Sequence, residues 1–286
     1  MTAYMMEHLF DDDDARTFIL PLPGPSKLSR EASGEDTIKS ISSQATKGTI
    51  AVIPTIIIVG ADKGGVGKTT ICRALLDYLA ERQHTYRAFD TEFPAGDLNR
   101  FAPESQVIDI GQVQAQMSVF DGVDSERLTV IDLRGGLLTP TLQALDDAKL
   151  FDDVRNNKMR LILLHVLGPT MASIAEISEA AKRIGAGSAR HFVVKNHINQ
   201  TQYFDWDEPS RQAVWQQMSN VTIDVPQLSE IACETLQKHG GSFAAFCADQ
   251  NPAGPQSRVL RGRVRTWLEA VWREFDRVGL GELINS

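Results

Sequence analysis

An unbroken β-branched run that ends abruptly in a glycine-rich turn leaves a chain few folds to choose from. Here Ile56-Ile57-Ile58-Val59 stops at Gly60, and a glycine-rich turn follows. Lys68-Thr69-Thr70 then opens a segment whose apolar residues Ile71, Ala74, Leu75, Tyr78 and Leu79 recur at helical spacing. Strand, glycine loop and helix in that order form a phosphate-binding loop. Gly64, Gly65 and Gly67 carry no Cβ, so the backbone can curl and aim successive N–H groups at one anion. The helix starting near Lys68 adds unpaired N-terminal amides and the positive end of its dipole. In such a loop Lys68 reaches the β- and γ-phosphates and the Thr69 hydroxyl ligates Mg2+, with Val66 and Thr70 completing the cradle. The motif G-x-x-x-x-G-K-[ST] wants glycine at position 62, and this chain has Asp62.

Composition narrows the context. A chain of 286 residues, 42% apolar and 23% charged, can bury a substantial core without disulfide or metal staples. The net charge of −8 and pI of about 5.3 argue against nucleic-acid binding by the molecule as a whole, so any such surface must be a local patch. Cys72, Cys233 and Cys247 show no C-x-x-C spacing, which points to a reducing compartment. The longest apolar run, 50–60, is broken by Pro54 and too short to cross a bilayer. Aspartates at 11–14 stand where a basic n-region would begin a secretory signal, so a cytoplasmic protein is expected. Residues 1–49 combine that acidic run with a Pro-rich piece and a polar stretch, and are predicted to be a disordered extension. Residues 50–286 are predicted to form the nucleotide-binding domain.

Further strands are expected at 55–59, 86–89, 127–133, 160–167 and 191–196, with a shorter one inside 221–228. Helices are expected at 171–184, stopped by Gly185, within 202–220, and at 257–278, the last helix. Strands alternating with helices predict an α/β fold, a single doubly wound, mainly parallel sheet flanked by helices, of P-loop NTPase type. Asp132 ends a buried strand beside the loop, the position that holds Mg2+ directly or through water. Asp132-Leu133-Arg134-Gly135 fits D-x-x-G, in which the amide of Gly135 senses the γ-phosphate. His165 lies inside a strand and reads as a satisfied core histidine, and Cys72 as a small buried hydrophobe.

The octet Lys63-Gly64-Gly65-Val66-Gly67-Lys68-Thr69-Thr70 resembles the deviant Walker A loop of the ParA/MinD family of ATPases, which carries a lysine at each end. The resemblance spans about residues 53–280. It implies ATP and Mg2+ as cofactors, and an ATP-dependent homodimer in which Lys63 crosses to the partner's nucleotide. It also implies two acidic residues at the end of the second strand, matched by Asp90 and, one methylene longer than the family's second aspartate, by Glu92. Lys63, Lys68, Asp90 and Glu92 are thus the candidate catalytic residues, Glu92 orienting the attacking water, and Thr69, Asp132 and Asp90 the candidate metal contacts. Asn196 occupies the family position that reads the adenine edge, and Pro226 falls in a turn resembling the loop over the base. A guanine reader would need N-K-x-D, whereas this chain has Lys195-Asn196-His197-Ile198. Arg134 stands near the family's proline; one reading turns it toward the phosphates, and the favoured one is a surface arginine.

Arg258, Arg261, Arg263 and Arg265 precede an apolar face of Trp267, Leu268, Val271, Trp272 and Phe275. One reading is a helix packed on the sheet with a solvated arginine face. Others are non-specific DNA contact and an amphipathic membrane anchor, the last disfavoured by Glu269, Glu274 and Asp276. The function implied is a slow ATPase acting as a nucleotide switch in plasmid or chromosome partition, maintenance or conjugation-associated positioning, with an adaptor or activator protein as partner. Two alternatives stay open: a P-loop metabolic enzyme transferring phosphate to a small substrate, of the dethiobiotin synthetase or cobyrinic-acid amidase type, and a nucleotide-gated scaffold with little hydrolysis.

Overall fold

A computed structural model describes residues 53–125, 127–168, 171–185, 187–198, 221–248 and 257–286. The extension predicted at 1–49 and the helix predicted within 202–220 lie outside the described residues. Seven strands form one sheet: β1 (Thr55–Gly60), β2 (Arg87–Asp90), β3 (Gln106–Val107), β4 (Leu128–Asp132), β5 (Arg160–Val166), β6 (Arg190–Asn196) and β7 (Val221–Val225). Their order is β3-β2-β4-β1-β5-β6-β7, and every pair is parallel. β1 and β4 are buried at every position, as a continuous apolar run covered on both faces requires. The chain leaves β1 for β2 and β3, then returns to insert β4 between β1 and β2. β5 is laid down on the opposite side of β1. That reversal opens a crevice at the carboxyl ends of the central strands, where ligands of doubly wound sheets bind. Register puts Val59 and Asp90 on either side of Asp132, so the ends of β1, β2 and β4 stand level.

Nine helices are described: α1 (Lys68–Glu81), α2 (Val113–Phe120), α3 (Leu138–Asp147), α4 (Leu150–Arg155), α5 (Met171–Ile184), α6 (Glu230–His239), α7 (Phe243–Cys247), α8 (Arg258–Arg277) and α9 (Leu280–Asn285). α8 is therefore not the last helix. Gly279, at positive φ, ends it and starts a further short one. β1 alternates between two cores. Ile57 and Val59 join Leu75 and Leu79 of α1 with Val271 and Phe275 of α8. Ile56 and Ile58 join Leu142 of α3, Phe151 of α4 and Ile184 of α5.

The tryptophan-bearing face of α8 lies in the first core. Trp272 Nε1 donates to the Ala74 carbonyl at 3.1 Å, and Tyr78 meets Phe275 edge-on with ring centroids 5.4 Å apart. The Tyr78 hydroxyl and the Arg82 guanidinium both bond the Asp276 carboxylate, so α1 and α8 are clamped at their outer ends. No described helix is long and apolar enough to cross a membrane. His165 is a core residue too, its Nε2 3.0 Å from Nδ1 of His191 on the next strand. Burial lowers both histidines, His191 to about 4, which keeps the pair neutral near pH 7.

Phe275 has no solvent exposure and holds α1 against α8. Phe275→Ala is expected to lower the unfolding free energy by about 3–5 kcal/mol, the usual cost of a buried phenylalanine. Arg82→Ala, which removes a half-exposed ion pair, should cost about 1 kcal/mol or less. Urea titrations of the two variants against wild type check the contrast.

Candidate phosphate and metal site

The glycine loop leaves β1 and enters α1 as the sequence predicts. Gly67 caps α1 at φ 92°, a left-handed conformation, and a Cβ there would collide with the Asn196 amide. With no side chain capping the helix, its first amides remain open toward the crevice. The loop's two lysines have opposite surroundings. Lys68 is buried, and its ammonium donates to the Lys63 carbonyl at 2.9 Å, closing the loop on itself. Burial lowers its pKa, and the carboxylates of Asp132, Glu176, Glu92 and Asp62 oppose that shift. Lys63 is exposed, with its stem lying against Gly168.

Asp62, at the position the motif gives to glycine, ties the loop to its neighbours. Its amide donates to Glu176 of α5 at 2.9 Å, and its carboxylate accepts from the Leu138 amide at 3.2 Å at the start of α3. Burial pushes Glu176 up to about 7.

The acidic strand ends converge on the loop. Lys68, Thr69, Asp90, Glu92, Asp132, Arg134 and Gly135 all line one cavity of about 300 Å³. Asp90 is buried, and both its oxygens accept backbone amides at 2.9 Å, from Glu92 and Asn99, which fixes the loop after β2. Glu92 is half-buried, with its pKa raised by burial and by Asp97. Gly135 has no room for a side chain, because a Cβ would stand 3.0 Å from the Gly64 amide nitrogen. Its own backbone therefore runs close beside the phosphate loop.

Asp132 is the most perturbed acid of the cavity. Burial pushes it up to about 8, the Thr69 hydroxyl bonds to it, and its Oδ1 is buried with no hydrogen-bond partner. An unpartnered buried carboxylate oxygen beside a hydroxyl suits a small hard cation with oxygen ligands. The residues present therefore fit Mg2+, with Thr69 and Asp132 as its holders.

Asn196 does not point freely at a base. Its Nδ2 donates to the Val66 carbonyl at 3.1 Å and its Oδ1 accepts from the Ile198 amide, bracing the phosphate loop against β6. Pro226 lies apart from the phosphates. It lines a second hollow of about 570 Å³ with Leu228, Val259 and Trp267, and its carbonyl accepts from Trp267 Nε1. The four arginines of α8 do not share one face. At about 100° per residue, Arg263 stands about 140° around the helix from Arg258. Arg258, Arg263 and Arg265 are all exposed, and Arg265 also donates to the Cys247 carbonyl at 3.0 Å.

Two site residues escaped sequence reasoning. Thr91 donates from both its amide and its hydroxyl to the Asp132 carbonyl, and its Oγ1 accepts from the Arg134 amide at 2.8 Å. It latches the ends of β2 and β4 together. Glu176 is the other, and nothing local to α5 signals a partner in a loop 114 residues earlier.

A parallel sheet with this strand order, a lysine-closed glycine loop and an acid at the end of β4 defines a P-loop nucleotide-binding fold. Among solved structures, the chain is similar to a nucleotide-binding protein in complex with ADP from Archaeoglobus fulgidus. The identity is 16%, over 63% of this chain and 84% of that one, with a TM-score of 0.43. It is also similar to the MinD cell division protein of Aquifex aeolicus, at 12% identity over 75% of this chain and 96% of that one, with a TM-score of 0.41. Both overlays are loose and add nothing to what strand order and loop already define. No protein-family model matches the chain, and a search of curated proteins finds no match.

The raised pKa of Asp132 carries a sign. The unfolded chain ionises this carboxyl near its ordinary 3.8, whereas the folded protein keeps the proton until about pH 8. The ligand-free protein therefore loses stability as pH rises from 4 to 8. Asp132→Asn should flatten that part of the Tm-versus-pH curve and raise Tm at pH 8, while abolishing stabilisation by Mg2+. Thermal melts from pH 5 to 9, with and without Mg2+-nucleotide, read both effects.

Proposed function

We propose that this chain is an ATP-dependent dimerising ATPase of the ParA/MinD type, a nucleotide switch in plasmid or chromosome partition, maintenance or conjugation-associated positioning. The observation that carries this reading is the contrast between the two lysines. Lys68 is buried and committed to its own loop, so it can serve only the nucleotide in its own crevice. Lys63 begins the same loop, is exposed, and is free to lie across a second copy's phosphates. A metabolic phosphotransferase of similar fold has no use for that exposed lysine.

In this reading the loop amides, the open first turn of α1 and Lys68 hold the phosphate chain of ATP. Thr69 and Asp132 would hold a Mg2+, which would neutralise part of the phosphates' charge. Glu92 orients the water that attacks the terminal phosphate, and Asp90 sets Glu92 in place by gripping its amide. Two copies close face to face, Lys63 of each reaching the other's phosphates, and hydrolysis releases them. Positioning dominates phosphoryl transfer, and the extra methylene of Glu92 keeps turnover slow. Arg258, Arg263 and Arg265 are the exposed arginines of the cluster on α8 and are proposed to meet DNA once dimerisation has doubled the charge. An adaptor or activator protein would set the rate of the cycle.

The test is light scattering coupled to size-exclusion chromatography, with Mg2+-ATP, Mg2+-ADP or no nucleotide. Wild type is expected to dimerise with ATP alone. Lys63→Ala should stay monomeric while still binding Mg2+-ADP, and Glu92→Gln should dimerise yet hydrolyse about 100-fold more slowly or worse. A monomer under every condition that passes phosphate to a small acceptor would sink the switch reading in favour of a metabolic enzyme.

A further inference from the structure

The phosphate cavity is short of cations. Among its lining residues stand four acids, Asp90, Glu92, Asp97 and Asp132, against Lys68 and Arg134. A triphosphate adds several negative charges, and Lys68 already spends one donor on the Lys63 carbonyl. Arg134 is therefore the uncommitted positive charge of the cavity. Among the described residues its guanidinium has no ion pair within 4.0 Å, although its charge is felt by Glu92, where it opposes the rise that burial and Asp97 cause.

Its backbone, in contrast, is held on both sides. The Arg134 amide is pinned to Thr91 Oγ1, and its carbonyl accepts from the Leu137 amide at 3.2 Å. The side chain is thus exposed while the backbone it springs from is fixed. Direction along the crevice follows from the strand ends. The loop amides and α1 take the inner phosphates, and the terminal one must lie beyond them, toward Glu92 and Asp132. Arg134 follows Asp132 by two residues and shares the cavity with Glu92.

We propose that Arg134 is the terminal-phosphate sensor of this site, an arginine supplied by the chain itself that contacts the γ-phosphate of ATP and makes the site prefer triphosphate over diphosphate. This rests on the nucleotide reading above. The planar fork of a guanidinium suits two phosphate oxygens at once, and no conservative replacement reproduces it. The contact exists only while the γ-phosphate is present, so its loss on hydrolysis would weaken the hold on the product. Such an arginine also stabilises the charge that develops on the transferred group.

The test is calorimetric titration of Mg2+-ATP and Mg2+-ADP into the full chain, as wild type, Arg134→Ala and Arg134→Lys, with single-turnover hydrolysis measured alongside. Arg134→Ala is expected to lose about 10- to 100-fold in ATP affinity, the range for a charge-assisted hydrogen bond. ADP affinity should change by less than about 2-fold, the criterion a contact confined to the γ-phosphate sets. Arg134→Lys should recover only part of the ATP preference. An unchanged ATP-to-ADP ratio in Arg134→Ala, or an equal loss of both nucleotides, would overturn the sensor role while leaving the nucleotide site standing. A wild-type chain that binds neither nucleotide would overturn the site reading and this role with it.

Discussion

A buried ammonium holds this site together. Lys68 sits in the first turn of α1, shielded from water, and its charge is tolerable only because the Lys63 carbonyl and a ring of carboxylates face it. That requirement dictates much of the neighbourhood. β2 and β4 must end in acids at one level, β1 must deliver a loop able to double back, and α5 must approach closely enough for Glu176 to meet the loop. The register that sets Asp90 beside Asp132 meets the first of these, and Gly67 with its left-handed backbone the second. The third is met by the bond from the Asp62 amide to Glu176.

The same electrostatics that strain the crevice make it receptive. A carboxyl driven up to about 8 and a lysine driven down are groups whose charged forms burial penalises beyond what their present partners offset. A polyanion with a divalent cation supplies both partners at once, one for each. Binding energy from such a ligand is drawn from strain already present in the ligand-free protein, so stability and affinity are coupled through Asp132. Asp62 extends the coupling outward, since it joins the loop to the N-terminus of α3 and to α5, two helices on the opposite face of the sheet from α1.

What could be seen in the sequence was what is contiguous. The glycine loop, the continuous strands and the acids that end them are written in runs of five to ten residues, and they lie where expected. The periodic apolar face of α8 also settled in the core. The cross-chain partnerships were not legible, because no local pattern encodes them. Asn196 serves the loop as a brace through the Val66 carbonyl, a bond that joins residues 130 positions apart. Thr91 was hidden between two conspicuous acids, although its role depends on a hydroxyl that a strand end can aim sideways. β3 and α2 escaped for a different reason: β3 is two residues long, and α2 exposes Val113 and Met117, so neither carries a clear apolar period.

The central claim is that the loop from Asp62 to Thr70 holds a nucleotide's phosphates around Lys68. The most direct measurement is calorimetric titration of Mg2+-ATP into the full chain and into Lys68→Ala, with circular dichroism confirming that both are folded. One saturable site per wild-type chain, weakened by EDTA and lost in Lys68→Ala, is the result the account predicts. Undiminished binding by a folded Lys68→Ala protein would contradict it.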